Sequence, residues 1–311
     1  MCEVFYLKIT FLGTSGSMPT KNRGLPAIAI RREKELLLFD CGEGTQRQML
    51  KSDLKISKLS KVFITHLHGD HVLGIAGLLQ TFSLLGRDKP LEIYGPPGIR
   101  DFLEAVVRTV KFTLTFDVKV SEIEKGVVVE EEDYYVTCIP VDHGVYTLAY
   151  ALIEKPRPGK FSPEKAKALG IPKGPLWKKL QLGKPITLQD GRVIRPEQVV
   201  GKPRPGRKIV YSGDTRPCSE MVKFAQGADL LIHDGTFDQS LREKALEGGH
   251  STVVDAAKIA LKAGVKRLAI FHISPRYAEE DVKKLEKEMR DIFPASFISY
   301  DFLTIHIPYS S

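Results

Sequence analysis

The chain has 311 residues, of which 42% are hydrophobic and 27% charged. That balance excludes a collagenous, low-complexity or disulfide-framed protein and gives a globular chain long enough to bury a large core. Forty-six basic residues against 38 acidic ones leave a net charge of +8, which points to a polyanionic partner without naming it.

Elements read in chain order begin with apolar, β-branched runs at Tyr6–Leu12, Ala27–Arg31 and Leu36–Phe39, then a helix at Thr45–Lys51. A strand at Val62–Thr65 feeds a helix at His71–Leu84, followed by a strand at Leu91–Tyr94 and a helix at Gly98–Val110. Three more strands come next, at Val127–Val129, Tyr135–Pro140 and Thr147–Ile153. The C-terminal third alternates strands at Lys208–Ser212, Leu230–His233 and Arg267–Phe271 with helices at Cys218–Ala225, Gln239–Leu246, Ser251–Ala263 and Ala278–Met289, and closes with strands at Phe297–Ser299 and Leu303–His306. Gly and Pro punctuate the joins. This density of strands with helices between them predicts a layered α/β fold with mixed sheets. No internal repeat, heptad run or low-complexity tract is evident.

One stretch breaks the rhythm. Residues 155–208 hold 15 Lys/Arg against three acidic residues, and nine of the 19 prolines. The remaining chain is slightly acidic, so the whole positive balance sits in this segment. Only a short helix at Pro163–Leu169 and a few strand residues fit, because proline this frequent cannot occupy a sheet interior. The segment reads as a flexible basic arm inserted into a single domain spanning 1–311.

Cys2, Cys41, Cys138 and Cys218 form no C-x-x-C pair and read as isolated thiols in a reducing compartment. The start MCEVFYLKIT has no signal-peptide pattern, and the longest apolar run, Val72 to Leu79, is too short to span a membrane. The expectation is a cytoplasmic protein with no membrane partner. A single asparagine and abundant Lys and Glu fit a heat-adapted source.

The strongest chemical signal is Thr65-His66-Leu67-His68-Gly69-Asp70-His71, after an apolar strand. Three imidazoles and a carboxylate within six residues are ligand types that suit Zn²⁺ or a similar divalent ion. In an extended stretch residues two apart point the same way, so His66 and His68 can grip one ion. Beyond the Gly69 turn, Asp70 and His71 can grip a second. Polar residues at the ends of other apolar strands (His143, Asp214 and His272) are candidates to complete two sites, with His233, His250 and His306 left over.

This pattern resembles the metallo-β-lactamase superfamily. The resemblance implies a four-layer αβ/βα sandwich with two metal ions at the strand ends. It implies that His66, His68 and His143 hold one ion, that Asp70, His71 and His272 hold the other, and that Asp214 bridges them. It also gives Asp40, in LLFDCGEGTQRQ, the role of supporting a ligating imidazole; read from the sequence alone, Asp40 is equally a turn residue capping the next helix.

Further segments are similar to the ribonuclease Z family, which trims the 3′ trailer from precursor tRNA. They are FLGTSGSMPTKNRG near the start, GIPKGPLWKKLQLG in the arm, the His250–Thr252 HST and the HISPRY of residues 272–277. The resemblance runs from Tyr6 to the C-terminus. It implies an endonuclease with two Zn²⁺ per subunit, acting as a homodimer, whose arm grips the tRNA body; Lys155, Arg157, Lys160, Lys173, Lys178 and Lys179 are the arm candidates. A basic, Pro- and Gly-rich arm suits contact with RNA phosphates. Asp70 and His250 are the candidate catalytic residues. His250 can protonate a departing alkoxide, and Ser251 is a candidate cap for the helix behind it. Arg276, Lys21 and Arg23 are candidate phosphate contacts. The loop Pro19–Gly24 departs from the family pattern, carrying glycine where asparagine is usual, which bears on the cut site and on CCA-bearing precursors. The competing readings are another phosphodiesterase or 3′-exonuclease, a non-catalytic RNA-binding scaffold, and a hydrolase of a small metabolite.

Overall fold

The computed structural model describes residues 7–309; Cys2 and Tyr6 lie outside the described residues. Its strands run, in chain order, β1 Leu7–Gly13, β2 Ala27–Arg32, β3 Glu35–Phe39, β4 Leu59–Phe63, β5 Leu91–Gly95, β6 Val118–Glu122, β7 Gly126–Glu130, β8 Tyr134–Asp142, β9 Tyr146–Glu154, β10 Ile186–Thr187, β11 Val193–Ile194, β12 Lys208–Tyr211, β13 Leu230–Asp234, β14 Leu268–Phe271, β15 Ser296–Ile298 and β16 Thr304–Ile307. The helices are α1 Thr45–Lys51, α2 Gly69–Val72, α3 Gly74–Leu84, α4 Ile99–Val110, α5 Pro163–Ala168, α6 Pro175–Gln181, α7 Ser219–Ala225, α8 Arg242–Glu247, α9 Val253–Ala263 and α10 Glu279–Arg290.

Two compact units emerge. Among the described residues the larger comprises 7–130, 136–152 and 208–308, and the smaller comprises 131–135, 153–207 and 309. Two seven-stranded mixed sheets form the larger unit, in the orders β16-β1-β2-β3-β4-β5-β6 and β15-β14-β13-β12-β9-β8-β7. Alternation along β3 and β4 divides their side chains between two faces. Leu36, Leu38 and Val62 pack with Met49, Ile75 and Leu78 of α1 and α3 on one face. Phe39 and Phe63 turn the other way and meet Tyr150 of β9, with ring centroids 6.0 and 5.5 Å apart. Helices α9 and α10 lie against the second sheet. The result is the helix–sheet–sheet–helix sandwich.

Three local differences from the sequence reading have physical causes. The helix expected over 71–84 is broken into α2 and α3. Gly74 packs so closely that a Cβ there would sit 1.9 Å from the Gly42 carbonyl oxygen, and its N–H donates to the Cys41 carbonyl. Strand β6 is a short, half-exposed edge that the sequence reading left out, although Val118 and Val120 alternate with polar residues and pack against the core. Finally, α9 is capped by Thr252, whose hydroxyl accepts from the Asp255 N–H. Ser251 instead donates to the Thr215 carbonyl, so the expected cap is off by one residue.

The proline-rich segment is more structured than expected. Pro163 and Pro175 each open a helix, where proline's missing N–H is no loss and its fixed φ is helical already. Strands β10 and β11 form a small antiparallel pair. Ala166, Ile171, Leu180, Ile186, Ile194 and Val199 make a separate apolar core, with Trp177 packed against it. The sequence KPRPG also occurs twice, at 155–159 and 202–206. This short duplication corrects the reading that no repeat exists. The structure pairs the two copies antiparallel through reciprocal Arg157–Arg204 backbone hydrogen bonds of 2.8 and 2.9 Å. Glu154 and Arg207 close the base of this unit as a buried bidentate ion pair.

Truncating this small core tests its independence. Leu180→Ala should cost the smaller unit about 2–5 kcal/mol. Hydrogen exchange read by mass spectrometry should show protection lost in α5 and α6 and kept in β13 and β14; equal loss everywhere would mean one cooperative unit.

Candidate metal centre

Strands β4, β8, β12, β13 and β14 all end at the same edge of the sandwich, and the loops leaving them carry the polar cluster. His66 and His68 leave β4, and Asp70 and His71 lie in α2. His143 comes after β8, Asp214 after β12 and His272 after β14, and Asp234 ends β13. A cleft of about 490 Å³ opens over them, lined by His68, Asp70, His143, Asp214, His250 and His272 among others.

Asp214 is 2% exposed and lies at the centre. Its Oδ2 is 3.1 Å from His272 Nε2, 3.3 Å from His71 Nε2, 3.8 Å from His143 Nε2 and 3.9 Å from His66 Nε2. His68 turns its Nδ1 inward, 3.1 Å from the Nε2 atoms of both His66 and His143. Asp70 Oδ2 sits 3.4 Å from His272 Nε2 and 3.6 Å from His71 Nε2, and accepts the Ser17 N–H at 2.8 Å.

The outer ring nitrogens decide the tautomers. His71 Nδ1 donates to Asp40 Oδ2 at 2.7 Å, and His143 Nδ1 donates to the Gly249 carbonyl at 2.8 Å. The Thr65 hydroxyl spends its proton on Asp40, so its oxygen accepts from His66 Nδ1 at 2.9 Å. Thr236 likewise donates to Asp234 Oδ1 and accepts from His272 Nδ1 at 2.9 Å. Four Nε2 atoms are therefore free to present lone pairs to the centre, as ligating imidazoles require. Asp40 is fully buried and holds His71, Thr65 and the Tyr211 hydroxyl together. It does not cap α1, whose first turn starts after Gly44 with no side-chain cap.

Asp40 and His272 both have left-handed backbones, with φ of 56° and 62°. That conformation costs a non-glycine residue of order 1–3 kcal/mol, and the surrounding hydrogen bonds hold it. Gly249, at φ 82°, is needed for a closer reason: a Cβ there would lie 2.1 Å from the His143 carbonyl oxygen.

The donor set fits a divalent ion. His71 Nε2 and Asp214 Oδ1 are buried without a hydrogen-bond partner. Groups of three ligand atoms lie within 4.8 Å of one another, including His66–His68–His143 and Asp70–His71–His272. Such a concentration of lone pairs is costly unless a cation satisfies it. Without an ion, protons take the place of the cation: burial opposes the charge of His71, but Asp214 and Asp40 raise its imidazole well above the ordinary value. Burial opposes the charge of Asp214, yet His272 and His71 hold its carboxyl well below the usual range. Burial lowers His66, and the neighbouring His71 lowers it further.

His250 stands at the edge of the cluster. Its Nδ1 donates to Asp234 Oδ2 at 2.9 Å. Burial opposes its charge, but Asp234 outweighs burial and raises the imidazole to about 9. Asp234 also accepts the N–H groups of Thr215 and Thr236. Sequence reasoning passed over Asp234, although the rule that picked His272, a polar residue ending an apolar strand, applies to it equally. His233, beside it, turns away and bonds the Asp234 carbonyl.

The candidate phosphate contacts divide. Arg23 is tied inward: its Nη1 donates to the Thr14 hydroxyl and the Ser299 carbonyl, both at 2.7 Å. Its side chain is half-buried. Lys21 is exposed. Arg276 is exposed, with its guanidinium 4.8 Å from the Phe237 ring centre and its Nε on Ser274. In the smaller unit Lys160, Lys173, Lys178 and Lys179 are exposed and Lys155 is half-buried. Arg157 is half-buried. Its guanidinium lies 3.2 Å from the centre of the Tyr309 ring, with Nε and Nη2 buried.

Known proteins resemble this chain throughout. A family model described as anti-Pycsar protein Apyc1 matches residues 7–155, and one described as a β-lactamase superfamily domain matches 197–273. Ribonuclease Z of Methanosarcina acetivorans is 50% identical over 303 residues, covering 97% of this chain and 99% of its own. Ribonuclease Z of Methanothermobacter thermautotrophicus is 48% identical, covering 97% of each chain. Human tRNase Z, short form, superposes with a TM-score of 0.72 at 31% identity, over 97% of this chain and 100% of that one.

Two substitutions test the supporting hydrogen bonds. Asp40→Asn should weaken divalent-metal affinity by about 10–100-fold, read by competition with a chelator. Asp234→Asn should drop the His250 pKa from about 9 toward its ordinary 6.5, so that the ring is largely neutral at pH 8. A histidine NMR titration of the metal-free protein reads this directly.

Proposed function

The chain belongs to the ribonuclease Z family, hydrolytic endoribonucleases of the metallo-β-lactamase superfamily, and from that premise we propose that it removes the 3′ trailer from precursor tRNA. Cleavage falls 3′ of the discriminator nucleotide. It leaves a 3′-hydroxyl on the tRNA and a 5′-phosphate on the trailer. The observation that carries this reading is the set of inward-facing imidazole nitrogens around Asp214, with His250 hydrogen-bonded to Asp234 beside them.

His66, His68 and His143 would hold one Zn²⁺ and Asp70, His71 and His272 a second, with Asp214 shared. Such a pair, when bound, supplies Lewis-acid activation of water and stabilisation of the oxygens in an in-line displacement at phosphorus. The protein's own groups do the rest. Asp40, Thr65, Thr236 and the Gly249 carbonyl hold the imidazoles so that no reorientation is needed during reaction. Asp70, fixed by the Ser17 N–H, keeps its carboxylate turned toward the His71 and His272 rings.

The P–O3′ bond breaks, and the departing 3′-oxygen needs a proton. His250 delivers it from Nε2, since Nδ1 is committed to Asp234. Asp234 favours the protonated ring against burial and restrains it through the transfer. Arg276 and Lys21 contact phosphates beside the cut.

Substrate choice belongs to the smaller unit. The segment between 156 and 196 lies outside both matching family models, and its exposed lysines suit phosphate contact on folded RNA. It serves as the tRNA-gripping arm. The protein acts as a homodimer in the cytoplasm; no helix among the described residues is long and apolar enough to cross a membrane.

A 3′-extended precursor tRNA with mapped ends decides the matter. One cut after the discriminator, dependent on divalent metal, is expected. Stepwise mononucleotide release would replace this reading with a 3′-exonuclease. Removing residues 160–200 should weaken precursor binding by at least about tenfold and leave bis(p-nitrophenyl) phosphate hydrolysis intact. His250→Ala should slow precursor cleavage by about 10²–10⁴-fold with metal content unchanged.

A further inference from the structure

We propose that Arg216 is a positioning residue for His250, tying the loop that carries the proton donor to the loops that carry His143 and Asp214. The inference rests on the functional reading above, in which His250 protonates the leaving oxygen.

Arg216 lies two residues after Asp214 and reaches three segments. Its backbone N–H donates to the Asp142 carbonyl at 2.7 Å, and its Nη1 donates to the Asp142 carboxylate at 2.7 Å. Asp142 immediately precedes His143. On the other side, Nε donates to the Leu246 carbonyl at 2.5 Å, with a longer Nη2 contact of 3.4 Å to the Glu247 carbonyl. Leu246 and Glu247 are the last residues of α8.

The last carbonyls of a helix have no intrahelical partner, and its C-terminus carries partial negative charge. The Leu246 carbonyl already accepts the Gly249 N–H at 3.2 Å, so the guanidinium is its second donor and meets the partial negative charge of the helix end. Beyond α8 the chain runs Gly248-Gly249-His250, and two glycines impose little direction of their own. The approach of His250 is therefore set by hydrogen bonds. Its N–H donates to the Ala245 carbonyl at 2.7 Å, His143 Nδ1 donates to the Gly249 carbonyl, and the Arg216 fork holds the helix end. The Asp142 carboxylate is 59% exposed, so that ion pair contributes little as charge alone. The fixed fork matters more. A lysine ammonium, a single point donor, cannot reach Asp142 and the helix end with the same geometry.

Leaving-group chemistry makes this testable on the metal-loaded protein. Precursor tRNA must expel an alkoxide and needs the proton; bis(p-nitrophenyl) phosphate expels a phenolate that leaves unaided. Arg216→Ala should lower kcat on the precursor by about tenfold or more, with KM within about twofold. Its metal content and its rate on bis(p-nitrophenyl) phosphate should stay at wild-type values. Arg216→Lys, which keeps the charge, should show the same split, and added guanidinium should partly restore the alanine variant. Equal loss on both substrates with loss of metal would overturn the proposal, as would no loss on either. Should the wild-type protein leave the precursor uncut, the functional reading fails by itself. Arg216 is then judged by the His250 imidazole signals of the zinc-loaded protein, which must shift in Arg216→Ala; unchanged signals overturn the proposal.

Discussion

A buried carboxylate surrounded by imidazoles is the constraint on which the rest of the larger unit depends. Asp214 is almost fully enclosed, with four Nε2 atoms within 3.9 Å of one oxygen. Gathering such groups away from water is unfavourable unless their outer faces are satisfied and their inner faces share a cation. The protein meets the first condition itself. The outer nitrogens of these four rings bond Asp40, Thr65, Thr236 and the Gly249 carbonyl. A divalent ion meets the second.

The two carboxylates that anchor imidazoles have different effects. Asp40 bonds the outer nitrogen of His71 and leaves the inner one for the centre. Asp234 bonds His250, which stands at the cleft edge, and there the same kind of contact raises the imidazole against the effect of burial. Position decides the outcome. Thr236 touches both Asp234 and His272, so His250 and the centre share one hydrogen-bond network. Arg216 adds an outer tie between the same loops.

The smaller unit obeys other rules. It has its own apolar core and carries the basic excess, while the larger unit carries the buried histidines. At its base the duplicated KPRPG segments pair, Glu154 meets Arg207, and the guanidiniums of Arg157 and Arg207 lie 3.2 and 3.8 Å from the centre of the Tyr309 ring. Two guanidiniums that near one ring centre must occupy opposite faces. Arginines in a basic segment are therefore of two kinds here, and Arg157 serves the base of the unit.

The sequence by itself determined most of the strand and helix order, because apolar periodicity is local. It also determined the principal donor residues, because three histidines and an aspartate within six positions leave a local trace. It could not determine Asp234 or the inward ties of Arg23 and Arg157, since each depends on partners distant in the chain. Charge counts gave Arg157 and Lys178 the same meaning; only packing separated them. The tautomers, the raised pKa of His250 and the convergence of three loops on Arg216 were decided by tertiary structure alone. Each depends on the distance between groups that the chain separates by tens to hundreds of residues, and composition carries no record of that distance.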